Sequence, residues 1–162
     1  MPIISLTTRI KAPIERVFDL SRSVELHIES SPESQETIVE GKTSGLLEKG
    51  DEITWNSHLK FRQKLHVKLT AMERYQSFVD EMVSGAFAHM KHTHLFKEEK
   101  GATLMTDEFD YKSPGGPFAW FVENSFLTAY LRRFLAERNK IIKRVAESEE
   151  WKSYLSDASP QD

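Results

Sequence analysis

Between Thr37 and Tyr111 the chain is a succession of short alternating stretches joined by turn residues, and a single long amphipathic stripe follows. That order constrains the fold more than any other feature. Successive side chains of an extended chain face opposite sides, so residues two apart share a face. Ile53, Trp55, Ser57 and Leu59 fall on one side, against Glu52, Thr54, Asn56 and His58 on the other. Leu65, Val67 and Leu69 oppose Lys64, His66 and Lys68, and Phe78, Asp80 and Met82 fall together. Turn chemistry at Glu48-Lys49-Gly50-Asp51 and at Glu98-Glu99-Lys100-Gly101 separates the stretches. Consecutive strands joined by short turns make an antiparallel meander, and its apolar face must be covered.

The flanking segments supply the cover. Ile3 to Ile10 reads as a first strand, and Ala12-Pro13 opens a helix with Ile14, Val17 and Phe18 on its apolar face. Ser21 is the predicted cap of a second short helix carrying Val24, His27 and Ile28. The SSPES run then releases the chain into a mixed strand, Thr37 to Thr43. Ser113-Pro114-Gly115-Gly116-Pro117 is the strongest break. Beyond it, Phe118, Phe121, Val122, Leu127, Tyr130, Leu131, Phe134, Arg138, Ile141, Ile142 and Val145 repeat at helical spacing. About 30 residues at ~1.5 Å each predict a helix of roughly 45 Å, with room for a bend at Asn124-Ser125. It is the element large enough to cover the sheet, and a curved sheet around one helix leaves a hollow between them. The expected class is α+β: about seven antiparallel strands around a long C-terminal helix, with two short helices after strand 1. Residues 1–148 form the expected domain. Residues 149–162 form an extension that is partly helical, with Trp151, Tyr154 and Leu155 as its apolar set, and then disordered.

Composition narrows the function. Of 162 residues, 22 are Lys or Arg and 25 Asp or Glu, for a formal charge of −3. The signs are interspersed, without the basic stripe of a nucleic-acid binder. The run Arg132 to Arg144 reads as a solvated helix face with cations near the C-terminal end of the dipole. With no cysteine, disulfides, thiolate catalysis and cysteine-based zinc sites are excluded. The chain shows neither a leader pattern nor a run long enough to span a bilayer. The expectation is a cytoplasmic protein, monomer or homodimer, with no nucleic-acid or membrane partner and no cofactor. Ten Phe, four Tyr and three Trp either fill a core or line a cavity.

The stretch Gly85 to Tyr111 carries the chemistry. Ala88, Met90, His92, His94 and Phe96 share one face, and His89, Lys91, Thr93 and Lys97 share the other. Two histidines therefore lie among apolar groups, where they must be hydrogen-bonded, bind something or cost stability. A turn centred near Glu99-Lys100 pairs Phe96 with about residue 103, His94 with Met105 and His92 with Asp107. Asp107 would then orient an imidazole, as the second group of an acid–base pair does. His92 and His94 are candidate polar anchors or proton-transfer groups; the alternative is a satisfied core pair. An H-x-H with Asp107 or Asp80 could also chelate a metal, but that pattern alone is weak and no metal is expected. Asp80 is a candidate pocket group, although a one-residue shift would put Glu81 inward instead. Trp55, Phe78, Met90, Phe109, Tyr111, Phe121 and Tyr130 are candidate pocket walls, with ordinary core as the alternative for each. His27 reads as a satisfied helix histidine.

Several segments resemble the helix-grip fold of the START and plant pollen-allergen proteins, and more closely the bacterial SRPBCC group of polyketide cyclase/dehydrase-like proteins. They are I-x-A-P-I-E-R-V-F-D-L (Ile10 to Leu20), F-V-D-E-M-V-S-G-A-F (Phe78 to Phe87), H-x-H-x-F (His92 to Phe96), L-M-T-D-x-F-x-Y (Leu104 to Tyr111) and the following S-P-G-G-P. The group's usual Gly-Pro is Gly85-Ala86 here, and an aromatic before the H-x-H is Met90. The resemblance implies a single domain that binds an apolar lipid-, steroid- or polyketide-like molecule between sheet and helix. A cyclase or dehydratase using His92, His94 and Asp107 is the alternative it implies. An interaction module using the outer sheet face or the Trp151-Tyr154-Leu155 tail is a third reading.

Overall fold

The computed structural model describes residues 3–31, 36–57, 63–115 and 126–155. The Phe118 to Val122 start of the helical stripe, Phe121 with it, and the Asn124-Ser125 bend lie outside the described residues, as do residues 156–162. Along the chain come β1 (Ile3–Ile10), α1 (Ile14–Ser21), α2 (Val24–Glu29), β2 (Thr37–Gly41), β3 (Glu52–Ser57), β4 (Gln63–Glu73), β5 (Ser77–Ser84), β6 (His89–Glu99) and β7 (Ala102–Lys112). Helix α3 (Thr128–Glu147), a 3-10 turn (Glu149–Trp151) and α4 (Lys152–Leu155) follow. The strands form one seven-stranded antiparallel sheet in the order β1-β7-β6-β5-β4-β3-β2. The predicted α+β architecture is the one observed.

Local chemistry sets the boundaries. Pro13 sits at the N-cap of α1 rather than inside it. Ser23, not Ser21, caps α2 by accepting from the Leu26 N–H. Ser21 instead closes α1, its hydroxyl donating to Val17 O at 2.7 Å. β2 ends at Gly41, short of Thr43. The β6–β7 register differs from the expected one by two residues: Phe96 faces Met105, His94 faces Asp107 and His92 faces Phe109. The turn is the two-residue Lys100-Gly101, with φ of 48° and 77°. Both residues are left-handed, as in the tight turn that matches strand twist, and a lysine gives little sequence signal for that conformation. A shift of two leaves every side chain on its predicted face.

Register shifts in β4, at His66/Val67 and Leu69/Ala71, mark bulges that bend the sheet. One half of the concave face is closed by α1. Phe18, fully buried, meets Tyr75, Phe78 and Phe96 edge-on with ring centroids 5.4, 5.5 and 5.1 Å away. Each such pair contributes about 0.5–1.5 kcal/mol beyond burial. Ile142 and Val145 of α3 complete this cluster, and Trp151, Tyr154 and Leu155 pack against it. The C-terminal tail is thus part of the core wall. Arg16 lies 4.2 Å over the Trp151 ring, and Tyr154 donates to Glu29. Lys143 Nζ donates to Arg9 O at 2.6 Å, tying α3 to β1. The described part of α3 spans about 30 Å at ~1.5 Å per residue. None of the described helices is long and apolar enough to cross a membrane.

Gly41 shows how tightly edge strand β2 is fitted. Its φ is 96°, and a Cβ there would stand 2.1 Å from the backbone oxygen of Glu52. Gly41→Ala should therefore destabilise the protein by more than about 1 kcal/mol, which calorimetry would read as a fall in Tm of at least ~2–4 °C. An unchanged Tm would mean that β2 does not sit this close to β3.

Candidate functional site

The inner face of the sheet is layered. Reading along β6, Met90 belongs to one apolar cluster and Phe96 to another, with His92 and His94 between them. On β7, Asp107 separates Phe109 from Met105; on β5, Asp80 separates Met82 from Phe78. On α3, Arg138 and Asn139 separate Leu131 and Leu135 from Ile142 and Val145. Period two on the strands and 3.6 on the helix bring these polar positions to one level. The result is a polar sheet, one side chain thick, between two greasy compartments.

Asp107, 1% exposed, is the centre of this layer. Its Oδ1 accepts from His92 Nε2 at 2.9 Å and lies 3.0 Å from His94 Nδ1. Its Oδ2 accepts from Asn139 Nδ2 at 2.6 Å, and the same amide reaches Thr8 Oγ1 at 3.3 Å. His94 Nε2 stands 3.1 Å from Asp80 Oδ2. The His94 ring stacks on Phe78 at 4.2 Å and lies 3.8 Å from the ring of His92. Elements β1, β5, β6, β7 and α3 are thus joined by one hydrogen-bonded network.

Burial acts on all four ionisable groups, and their partners decide the outcome. It would raise the Asp107 carboxyl, yet the hydrogen bonds and charges of His92 and His94 hold it well below the usual carboxylate range. Asp80 is also raised by burial and then brought below its ordinary value by His94. Burial lowers His94, but the bonds to Asp107 and Asp80 outweigh it and raise its pKa. His92 is lowered by burial and by the neighbouring His94 charge, only partly offset by Asp107, and falls to about 4. Both ring nitrogens of His94 meet carboxylates, which favours its imidazolium form, while His92 is the neutral ring at neutral pH.

Beside the layer lies a cavity of about 110 Å³. Trp55, Met90 and Phe109 wall it from the sheet, and Leu131, Phe134 and Leu135 from α3. Phe78 also borders it. His92 and Asp80 present their side chains to the cavity, with Arg138 and Glu36 beside them. His94 and Asp107 stand behind this wall and act on its surface through His92 and Asp80. Tyr111 is fully buried outside the lining, its hydroxyl 2.6 Å from Thr128 Oγ1. Tyr130 packs against the upper cluster without lining the cavity, and Phe121 lies outside the described residues. His27 is bonded to Glu36 at 2.9 Å and stacks on Trp55 at 4.3 Å, so it is satisfied and also at the cavity edge.

Two site groups escaped sequence reasoning. Arg138 was legible as a cation on the apolar stripe, four residues after Phe134 and four before Ile142, but the surrounding basic run pointed outward. Glu36 followed a serine-rich connection and carried no signal. For a metal, Asp80, His92 and His94 each offer one ligand atom, all within 4.8 Å of one another. In the structure these groups satisfy one another and Asp107.

No family model matches the chain, and no curated protein matches it in sequence. Solved structures do match in shape. A protein from Thermus thermophilus superposes with a TM-score of 0.71 at 15% identity, over 98% of this chain and 100% of that one. The major latex-like protein 151 of Panax ginseng gives 0.66 at 17%, over 91% and 98%. A START superfamily protein from Mycobacterium smegmatis gives 0.64 at 14%, over 90% and 97%. The chain therefore has the helix-grip fold shared by START-like and latex-like proteins.

The network sets a pH profile. Asp107 and Asp80, with lowered values, contribute stability above about pH 4 that is lost as pH falls through their folded values. Lowered His92 contributes above its unfolded value of about 6.5 and loses that contribution as pH falls toward about 4. Raised His94 contributes fully below about 6.5 and loses it as pH rises through its folded value. Urea midpoints should peak between these arms, and His92→Gln should flatten the acid arm. Midpoints independent of pH would contradict the charge assignment. Asp107→Ala, which strands three donors, should cost about 3–5 kcal/mol in the same assay.

Proposed function

We propose that this protein binds a small hydrophobic or aromatic molecule in the cavity between the sheet and α3, with His92 and Asp80 as its polar contacts. The observation that carries this reading is the layered interior: an apolar cavity bounded at one end by a fixed ionic network. Burial of the apolar body would drive binding, and the polar groups would fix its orientation. A cavity of about 110 Å³ approaches the roughly 150 Å³ that accepts benzene elsewhere, so a single-ring ligand suits it better than an intact steroid or long lipid. The resemblance of the sequence to START-like proteins supports the same class of ligand.

Proton transfer of the cyclase or dehydratase type is the second reading. It has one observation in its favour: Asp107 holds the His92 Nε2–H, which leaves Nδ1 of this cavity-lining residue as an acceptor. A ring with a pKa of about 4 is a weak base, which is why binding comes first. The interaction-module reading loses its tail surface, because Trp151, Tyr154 and Leu155 pack on the core.

Calorimetric titration with toluene should show saturable binding. Leu131→Trp, which fills the apolar wall at a cost of about 1–3 kcal/mol, should weaken that binding at least about tenfold while the protein stays folded. Absence of probe binding to the wild type, or binding unaffected by Leu131→Trp, would remove the cavity from consideration.

A further inference from the structure

We infer that Arg138 is the anion-binding end of this cavity and that the molecule held there carries a carboxylate. The inference rests on the ligand-binding reading above and names the chemical class of the ligand. Arg138 lies on the buried face of α3, 6% exposed, one turn beyond Leu135. Arg138 is one of the residues that line the cavity. Nη2 donates to Ser21 O at 3.2 Å, while the Nε–H is buried and has no acceptor. Among the described residues no carboxylate forms an ion pair with it.

That arrangement is unusual because a guanidinium cannot escape its charge. A buried lysine or histidine can shed its proton, whereas arginine stays protonated and keeps all its donors. A buried cation with an unmatched N–H is costly until an acceptor arrives, and a charged acceptor makes the stronger bond. The acidic groups that feel Arg138 already have histidine partners. Glu36 is bonded to His27 at 2.9 Å and Asp80 to His94 at 3.1 Å. Both carboxylates sense the arginine charge without touching it, so neither supplies the Nε–H with an acceptor. His92, also within reach of that charge, is held by Asp107.

The surroundings define the rest of the ligand. Leu131, Phe134 and Leu135 lie on the same helix toward the apolar compartment, and Trp55 and Phe109 wall the cavity from the sheet. A carboxylate on Arg138 therefore leaves the attached body among aliphatic and aromatic side chains. The molecule is a compact apolar carboxylic acid. Asp80 opposes a second negative charge nearby, and its bond to His94 reduces that opposition.

The test compares two probes with one skeleton, benzoate and benzyl alcohol, by calorimetric titration at neutral pH. For the wild type the acid should bind at least about tenfold more tightly, the worth of one charged hydrogen bond. Arg138→Met should bring the two affinities within about twofold of each other, with the acid losing the larger share. Arg138→Lys keeps a cation without the Nε–H and should retain an intermediate preference; it also serves if the methionine variant does not fold. Equal binding of acid and alcohol by the wild type would overturn the inference and leave the cavity reading standing. A preference for the acid that survives Arg138→Met would overturn the assignment to Arg138. Binding of neither probe would remove the cavity reading and this one with it.

Discussion

The carboxylate of Asp107 is where the fold is tied together. It accepts from His92 and Asn139 and lies in hydrogen-bond contact with His94. Through these three it joins the adjacent strands β6 and β7 to α3. Through Asn139 and His94 it also reaches Thr8 on β1 and Asp80 on β5. A buried anion is tolerable only when its lone pairs are matched, and here both oxygens are. Apolar packing alone would let α3 slide or rotate on the sheet at small cost. A buried polar network fixes the depth and rotation of the helix, because any displacement leaves charged groups unmatched.

Fixing α3 at that level explains why a hollow exists above it. Below the layer, α1 drives Phe18 into the space between sheet and helix, and Phe78, Phe96, Ile142 and Val145 close around it. Above the layer no comparable element enters among the described residues, and the walls remain apart. The same network therefore supports a close-packed core on one side and presents polar groups to a cavity on the other. Arg138 and Asn139 are adjacent on α3 yet take different parts. Asn139 completes the network, and Arg138 faces the space beside it.

Most of the architecture was legible because alternation is a strong signal. A half-buried strand must put its apolar residues on one face, so Trp55, Phe78, Met90, His92, His94 and Phe109 were placed inward from period two alone. The pairing register of β6 and β7 was not legible. It depends on Lys100 adopting a left-handed conformation, and the sequence marks only the adjacent Gly101. Because the error was an even number of residues, the inward set survived while the partner of each histidine changed. Arg138 escaped for a different reason. Charges on a helix are read by their neighbours in sequence, and Arg132, Arg133, Lys140 and Arg144 do face outward. Burial of one member of that run depends on the tertiary position of α3, which no local pattern encodes. Of the candidate site residues, His94 and Asp107 were found for their chemistry, but only the fold separates them, behind the wall, from His92 and Asp80 on it.

The sheet order has a consequence for how the chain reaches this state. β1 lies against β7, with Ile3 opposite Asp110 and Ile10 opposite Thr103, while β2 to β7 follow one another as a meander. Each meander contact closes a short loop, whereas β1 must close one of about a hundred residues. During synthesis β1 therefore waits, with its hydrogen-bonding edge unpaired, until β7 has emerged. Docking of α3 waits as well, because Asn139 and Lys143 anchor it to that same strand. Of these elements the one translated first is among the last to find its place, and its arrival seals the compartment.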